Sequence, residues 1–168
     1  MSDSEDVNYE NFGIPTSAGD LKIGGHVIIN SRPCKIVELT KAKSGKHGVA
    51  KAHFYGIDIF TNRKYVSMCS TGHNVYVPEI VKKDYQVSNV KCDNVIDLDG
   101  IVEVLDDKGE TLEFLLPDQC GSDKELAKNI IDAFNNTMNG SSNKVLYVNV
   151  IKSVGEEHIK GYRLNDLK

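Results

Sequence analysis

Apolar and polar positions alternate in short runs between His26 and Val77, with no helical period. Val27-Ile28-Ile29 predicts a first strand, and Asn30-Ser31-Arg32-Pro33 a turn with proline near its end. Cys34 to Leu39 alternates as a second strand, and Val49 to Tyr55 as a third, broken by Gly56. Ile57 to Phe60 and Tyr65 to Met68 flank Thr61-Asn62-Arg63-Lys64, a hairpin turn, and Val75 to Val77 closes the series before Pro78. Five or six short strands in so few residues predict a small barrel, whose closure removes edges that strands this short would expose.

The flanking segments read differently. Residues 1–20 have no apolar periodicity and are rich in Asp, Asn, Gly and Ser, which predicts a disordered acidic tail. A domain boundary is expected at Val81-Lys82-Lys83-Asp84, giving a barrel over 21–83 and a second domain over 84–168. In that second domain Tyr85 to Lys91, Ile101 to Leu105 and Thr111 to Leu116 predict strands. The last two are joined by Asp106-Asp107-Lys108-Gly109, a strong turn sequence. One helix follows: Ser122 and Glu125 have capping-box spacing, and Leu126, Ala127, Ile130, Ile131 and Phe134 fall on one face. Asn135 to Asn143 ends it, and Val145 to Ile151 and His158 to Leu164 supply two more strands. Three strands, a helix and two strands is the element order of an OB-fold, so the chain reads as mainly β.

Composition sets the class. The 168 residues are 40% hydrophobic and 26% charged, which excludes wholesale disorder. No apolar run is long enough to span a bilayer, so no membrane partner is expected. The opening residues are acidic and polar, unlike a secretory or mitochondrial leader. Cys34, Cys69, Cys92 and Cys120 are widely spaced, which predicts reduced thiols and a cytoplasmic protein. Nothing in their spacing argues for a disulfide-linked dimer, and a weak homodimer stays open.

Charge is distributed unevenly. Residues 1–20 carry five acids and no base, 21–83 carry eleven Lys/Arg against three acids, and 84–168 carry nine against sixteen. A basic block of domain size predicts an anionic partner, with nucleic acid first in order. The acidic second domain does not grip RNA chiefly by charge, whatever its fold.

The most unusual stretch is Lys41-Ala42-Lys43-Ser44-Gly45-Lys46-His47-Gly48. It is no phosphate-binding P-loop: the earlier glycine is Thr40, the residue after the lysine is His47, and a strand rather than a helix follows. Instead it forms a hairpin tip, with Lys46 between two glycines that do not crowd a partner and with Lys41, Lys43 and Lys51 around it. Cys69 and His73 stand alone at a metal-ligand spacing, where a core thiol and a turn histidine are the simpler reading. No catalytic constellation is present, so an enzyme is not expected.

Ser44-Gly45-Lys46-His47-Gly48 followed by Ala50-Lys51 resembles the modification loop of the eukaryotic translation initiation factor 5A family. Arg32-Pro33-Cys34-Lys35-Ile36-Val37-Glu38 is similar to that family's second strand, and Gly56-Ile57-Asp58-Ile59-Phe60-Thr61 to its next strand and turn. His73-Asn74 and Val77-Pro78 match the end of its first domain. The resemblance implies an SH3-like barrel followed by an OB-fold. It also implies that Lys46 receives an aminobutyl group from spermidine and is then hydroxylated to hypusine, by deoxyhypusine synthase and deoxyhypusine hydroxylase. This chain would be their substrate, with no catalytic residue, resident cofactor or metal of its own. Lys43, Ser44, Gly45, His47, Gly48 and Lys51 would contact tRNA and the ribosome. The implied function is binding near the exit tRNA site, beside ribosomal RNA and peptidyl-tRNA, to promote peptide-bond formation at stalled, proline-rich sequences and termination. Val49 and Ser44 depart from the family's histidine and threonine, and Gly72 from its pattern in a later turn.

Two other readings compete. One is an RNA-binding paralogue that never carries hypusine and uses the basic barrel alone. The other makes the acidic OB-like domain a protein-interaction module.

Overall fold

The computed structural model describes residues 13–43, 45, 48–94, 96, 98–140 and 143–167. They fall into two compact units. One holds the described residues up to Ile80 together with Ser153–Gly155; the other holds Val81–Lys152 and the chain from Glu156.

In the first unit β1 (Gly13–Ser17) leads through a 3-10 turn (Ala18–Asp20) to β2 (His26–Ile29), β3 (Arg32–Lys43), β4 (Ala50–Asp58), β5 (Lys64–Ser70) and β6 (Asn74–Pro78). Strands β2-β3-β4-β5 form an antiparallel sheet in chain order, and β1 pairs with β6. Alternation along the strands buries Val27, Ile29, Cys34, Ile36, Ala52 and Phe54 on one face, where Ala18 and Leu21 join them.

Three expectations change here. Residues 13–20 are not tail: Gly13–Ser17 run antiparallel to Asn74–Pro78, and Ala18 is fully buried. The main-chain ladder supplies this pairing, so it needs no apolar alternation. Gly56 does not break the third strand, since β4 runs through it to Asp58. A Cβ on Gly56 would lie 2.7 Å from the Cys34 Cβ, so the glycine marks a close approach of β4 to β3, and Ile57-Asp58 end β4 rather than open a new strand. The first hairpin turn is Asn30-Ser31, both at positive φ, and Pro33 already lies in β3 opposite Ile28.

The second unit contains β7 (Val81–Asn94), β8 (Asp99–Leu105), β9 (Thr111–Leu115), α1 (Gly121–Met138), β10 (Lys144–Ser153) and β11 (Glu156–Asp166). Its sheet order is β11-β10-β7-β8-β9. Val102, Val104, Leu146, Val148, Val150 and Ile159 meet Ala127 and Ile130 of α1 in the core. Leu126, Ile131 and Phe134 pack against its margin, and Ala133 is a buried contributor that the face prediction omitted. The Asp106 turn forms as expected, with Oδ1 accepting the amides of Lys108 and Glu110 at 2.8 Å each.

Two local predictions differ. The strand predicted from Tyr85 starts at Val81, because Val81-Lys82-Lys83 pair with Lys152-Ile151-Val150. The change in charge sign is therefore not the structural boundary, and Lys82 and Lys83 belong to the second unit. The capping box does not form: the helix starts at Gly121 after an N-cap Cys120, with no side-chain cap hydrogen bond. Ser122 lies inside the first turn, its Oγ 3.1 Å from Cys120 Sγ. The start is instead held by Asp123, nearly buried, whose carboxylate accepts from Lys160 Nζ at 3.0 and 3.3 Å.

Candidate functional site

The tip flagged in the sequence sits at the end of the β3–β4 hairpin. After a bulge at Ile36/Glu38 the two strands pair from Glu38↔Tyr55 out to Lys43↔Ala50. Ala52, opposite Lys41, is the last fully buried residue on this arm. Two further pairs, Ala42↔Lys51 and Lys43↔Ala50, carry the arm about 7 Å beyond it at the usual rise of a strand.

Hydrogen bonds to main-chain carbonyls brace the arm nearly to its end. On one side β5 continues the sheet through Ser70 opposite Lys51, and the Thr71 amide donates to the Ala50 carbonyl at 2.9 Å. On the other strand Lys41 Nζ donates to the Gly19 carbonyl. The Gly19 amide in turn donates to the Thr71 carbonyl at 2.8 Å, which links the two braces. Sequence reading placed Lys41 among the charges of the loop, whereas the structure makes it a strut at its base.

Alternation separates the remaining lysines. Lys43 shares a face with Lys41 and Ala50, while Lys51 shares the opposite face with Ala42 and His53. The two ammonium groups thus flank the arm on both sides, and both residues are exposed. Among the described residues neither takes part in an ion pair. Beyond them Gly45 takes φ +71°, and a Cβ there would meet nothing within 4 Å. Val49 is 66% exposed. Ser44, Lys46 and His47 lie outside the described residues, and Gly48 follows them.

The outward face of β4 carries further groups that sequence reading passed over. Lys64 Nζ sits 3.7 Å from the centre of the Tyr55 ring. A hydrogen bond to Glu38 raises the Tyr55 phenol above its ordinary range. The signal was present in the alternation Lys51-Ala52-His53-Phe54-Tyr55, whose odd members face outward.

Cys69 and His73 line one cleft of about 300 Å³, but the described residues hold no group of three metal ligands. Burial pushes the Cys69 thiol up, and it pushes that of Cys34 to about 11, so Cys34 is a packing residue. No helix among the described residues is long and apolar enough to cross a membrane.

Comparison with known proteins agrees with this layout. A family model described as translation initiation factor 5A-like, N-terminal, matches residues 12–73. A second, described as eukaryotic elongation factor 5A hypusine, DNA-binding OB fold, matches residues 79–163. Eukaryotic translation initiation factor 5A-1 of Solanum lycopersicum is 38% identical over 149 residues, which cover 89% of this chain and 84% of that protein. Eukaryotic translation initiation factor 5A of Spodoptera exigua is 34% identical over 172 residues, covering 98% and 97%. A family protein from Naegleria fowleri has a similar structure, with TM-score 0.78 and 37% identity over 90% of this chain and 99% of that one. Eukaryotic translation initiation factor 5A from Methanococcus jannaschii gives TM-score 0.60 at 29% identity, over 89% and 94%. The chain therefore belongs to the eukaryotic translation initiation factor 5A family, a translation factor made of an SH3-like barrel followed by an OB-fold.

Proposed function

We propose that Lys46 is converted to hypusine and that the braced β3–β4 arm presents it at the ribosome. Deoxyhypusine synthase would transfer the aminobutyl group of spermidine to Lys46 Nζ, with 1,3-diaminopropane as the product left behind. Deoxyhypusine hydroxylase would then convert one C–H bond of the added group to C–OH, a two-electron oxidation that takes its oxygen atom from dioxygen and needs an external reductant to carry the other oxygen to water. The observation that carries this reading is the arm itself, whose strand β4 is hydrogen-bonded on both sides out to Ala50 and whose outermost described residues, Gly45 and Val49, are exposed. The family model's own description includes hypusine, which favours the same reading.

On the ribosome the factor acts near the exit tRNA site, with the modified tip reaching the acceptor end of peptidyl-tRNA. There it promotes peptide-bond formation at stalled, proline-rich sequences and assists termination. Holding a constrained reactant in place is catalysis by positioning, and it requires no reactive group from the factor. Lys43 and Lys51 lie on opposite faces of the arm, so phosphates can be met on either side. Residues 21–80 carry nine Lys/Arg against three acids, a balance that suits ribosomal RNA.

Peptide mass spectrometry across residues 43–51, after incubation with spermidine, NAD and deoxyhypusine synthase, tests the proposal. An aminobutyl addition confined to Lys46 is the expected result. No addition by an enzyme active on another family member would leave the unmodified RNA-binding reading in its place.

A further inference from the structure

Register across the sheet of the first unit lines up a set of outward side chains. Lys35 lies beside His26 on β2 and Ile57 on β4, and Ile57 lies beside Lys64 on β5, so one row crosses all four strands. The next row toward the tip places Tyr55 between Glu38 and Val66. A third places His53 between Thr40 and Met68, and the last centres on Lys51. Successive rows are about 6.8 Å apart, so the line from Ile57 to Lys51 runs about 20 Å. The opposite face of β4 holds Ala52 and Phe54 in the core, which leaves this one to solvent.

Charge on this outward face is one-sided. Lys35, Lys51 and Lys64 are exposed, and among the described residues none of them takes part in an ion pair. Glu38 is the one acid in the four rows, and its carboxylate accepts from the Tyr55 hydroxyl. Lys64 Nζ rests over the Tyr55 ring, 3.7 Å from its centre. Cations thus stand at both ends of the line, with the rings of Tyr55 and His53 between them. We infer that this face is the path of a single-stranded RNA segment, whose phosphates meet Lys51 at one end and Lys35 and Lys64 at the other, with one base stacked on Tyr55. A phosphate beside Lys64 draws the ammonium off the ring and frees that ring face for the base. The inference rests on the reading above that the chain works beside ribosomal RNA and tRNA, and it names where that RNA lies.

Two other anionic occupants fit less well. An extended acidic polypeptide would match the lysines, but such segments gain their main-chain hydrogen bonds at a sheet edge, and these side chains lie on a sheet face. A duplex brings phosphates without an unstacked base for Tyr55.

The test uses the full-length chain with unmodified Lys46 and a fluorescein-labelled oligouridylate of about eight nucleotides, read by anisotropy over a series of salt concentrations. Saturable binding is expected, and Lys35→Ala and Lys64→Ala should each lower the slope of log affinity against log salt by about 0.7. Tyr55→Leu should weaken affinity about tenfold with the slope unchanged, and Tyr55→Phe, which keeps the ring, should bind as the wild type does. Lys128→Ala, at an exposed position on α1 of the second unit, controls for loss of charge alone and should leave the slope as it is. No saturable binding, an unchanged slope in the Lys35 and Lys64 variants, full affinity in Tyr55→Leu, tighter binding of a duplex, or displacement by a glutamate–valine peptide of equal charge would each overturn the path. Neither the ribosome nor modified Lys46 enters this assay, so these outcomes bear on the path alone. Failure of the reading above shows instead in the mass spectrum at Lys46.

Discussion

Arg32 and Asp58 tie together two turns of the first unit: Arg32 Nε donates to Asp58 Oδ2 at 2.6 Å, and Asp58 is wholly buried. Arg32 follows the Asn30-Ser31 turn, and Asp58 opens the β4–β5 turn, where its Oδ1 accepts the Phe60 amide at 2.9 Å and that of Thr61 at 3.3 Å. Burial alone would raise this carboxyl. The hydrogen bonds from Arg32, Phe60 and Thr61 together outweigh burial and hold it below the usual carboxylate range.

Removing that carboxylate takes away the ion pair of Arg32 and the acceptor of the Phe60 and Thr61 amides. Asp58→Ala should therefore cost about 3 kcal/mol or more, read as a lower urea midpoint for the first unit. Since the folded-state pKa lies below the unfolded one, the stabilisation is complete above about pH 4 and is lost as pH falls through the folded value. Wild-type stability should drop across that window more steeply than that of Asp58→Asn. Parallel pH profiles would show Asp58 to be irrelevant to acid sensitivity.

Gly56→Ala tests the strand crossing. The new Cβ would meet the Cys34 Cβ at 2.7 Å and the Lys35 carbonyl oxygen at 3.1 Å, and neither can swing aside. A loss of about 1–3 kcal/mol is expected. A thermal midpoint unchanged from wild type would mean that β3 and β4 can separate at little cost.

In the second unit Asp123 and Lys160 pair at 3.0 Å with side chains 6% and 13% exposed. Asp123→Ala removes the carboxylate that pairs with a nearly buried ammonium group and should cost about 3 kcal/mol. Replacing both, as Asp123→Leu with Lys160→Met, should recover most of that loss. A double variant no better than the single one would locate the effect in the helix start instead of the pair.

How far the fold could be read in advance depends on which groups do the holding. Side-chain alternation marked β2 to β6, the Asp106 turn was legible in its own residues, and Gly45-Lys46-His47-Gly48 singled out the tip. Backbone-held features were not legible. The β1–β6 pairing and the bond from Thr71 to Ala50 are main-chain hydrogen bonds between distant segments, which no residue type announces. Lys41 and Lys43 looked like loop because exposed lysines break the apolar alternation, yet both lie in β3. Ser122 looked like a cap because its spacing to Glu125 ignored Asp123, whose pairing with Lys160 comes from β11. Tertiary partners decided these cases over local signal.

Lys43 and Lys51 offer the most direct test of how the arm meets RNA. Both are exposed and outside any described ion pair, so Lys43→Ala and Lys51→Ala should each change stability by less than about 0.5 kcal/mol. If each neutralises one phosphate, each substitution should lower the slope of log affinity against log salt for ribosome binding by about 0.7–0.9. Their positions on opposite faces make the two effects independent, so the double variant should lose about twice that slope. Affinity that falls while the slope stays constant would show that the lysines act through packing. A slope change from only one of them would mean that RNA lies along a single face of the arm.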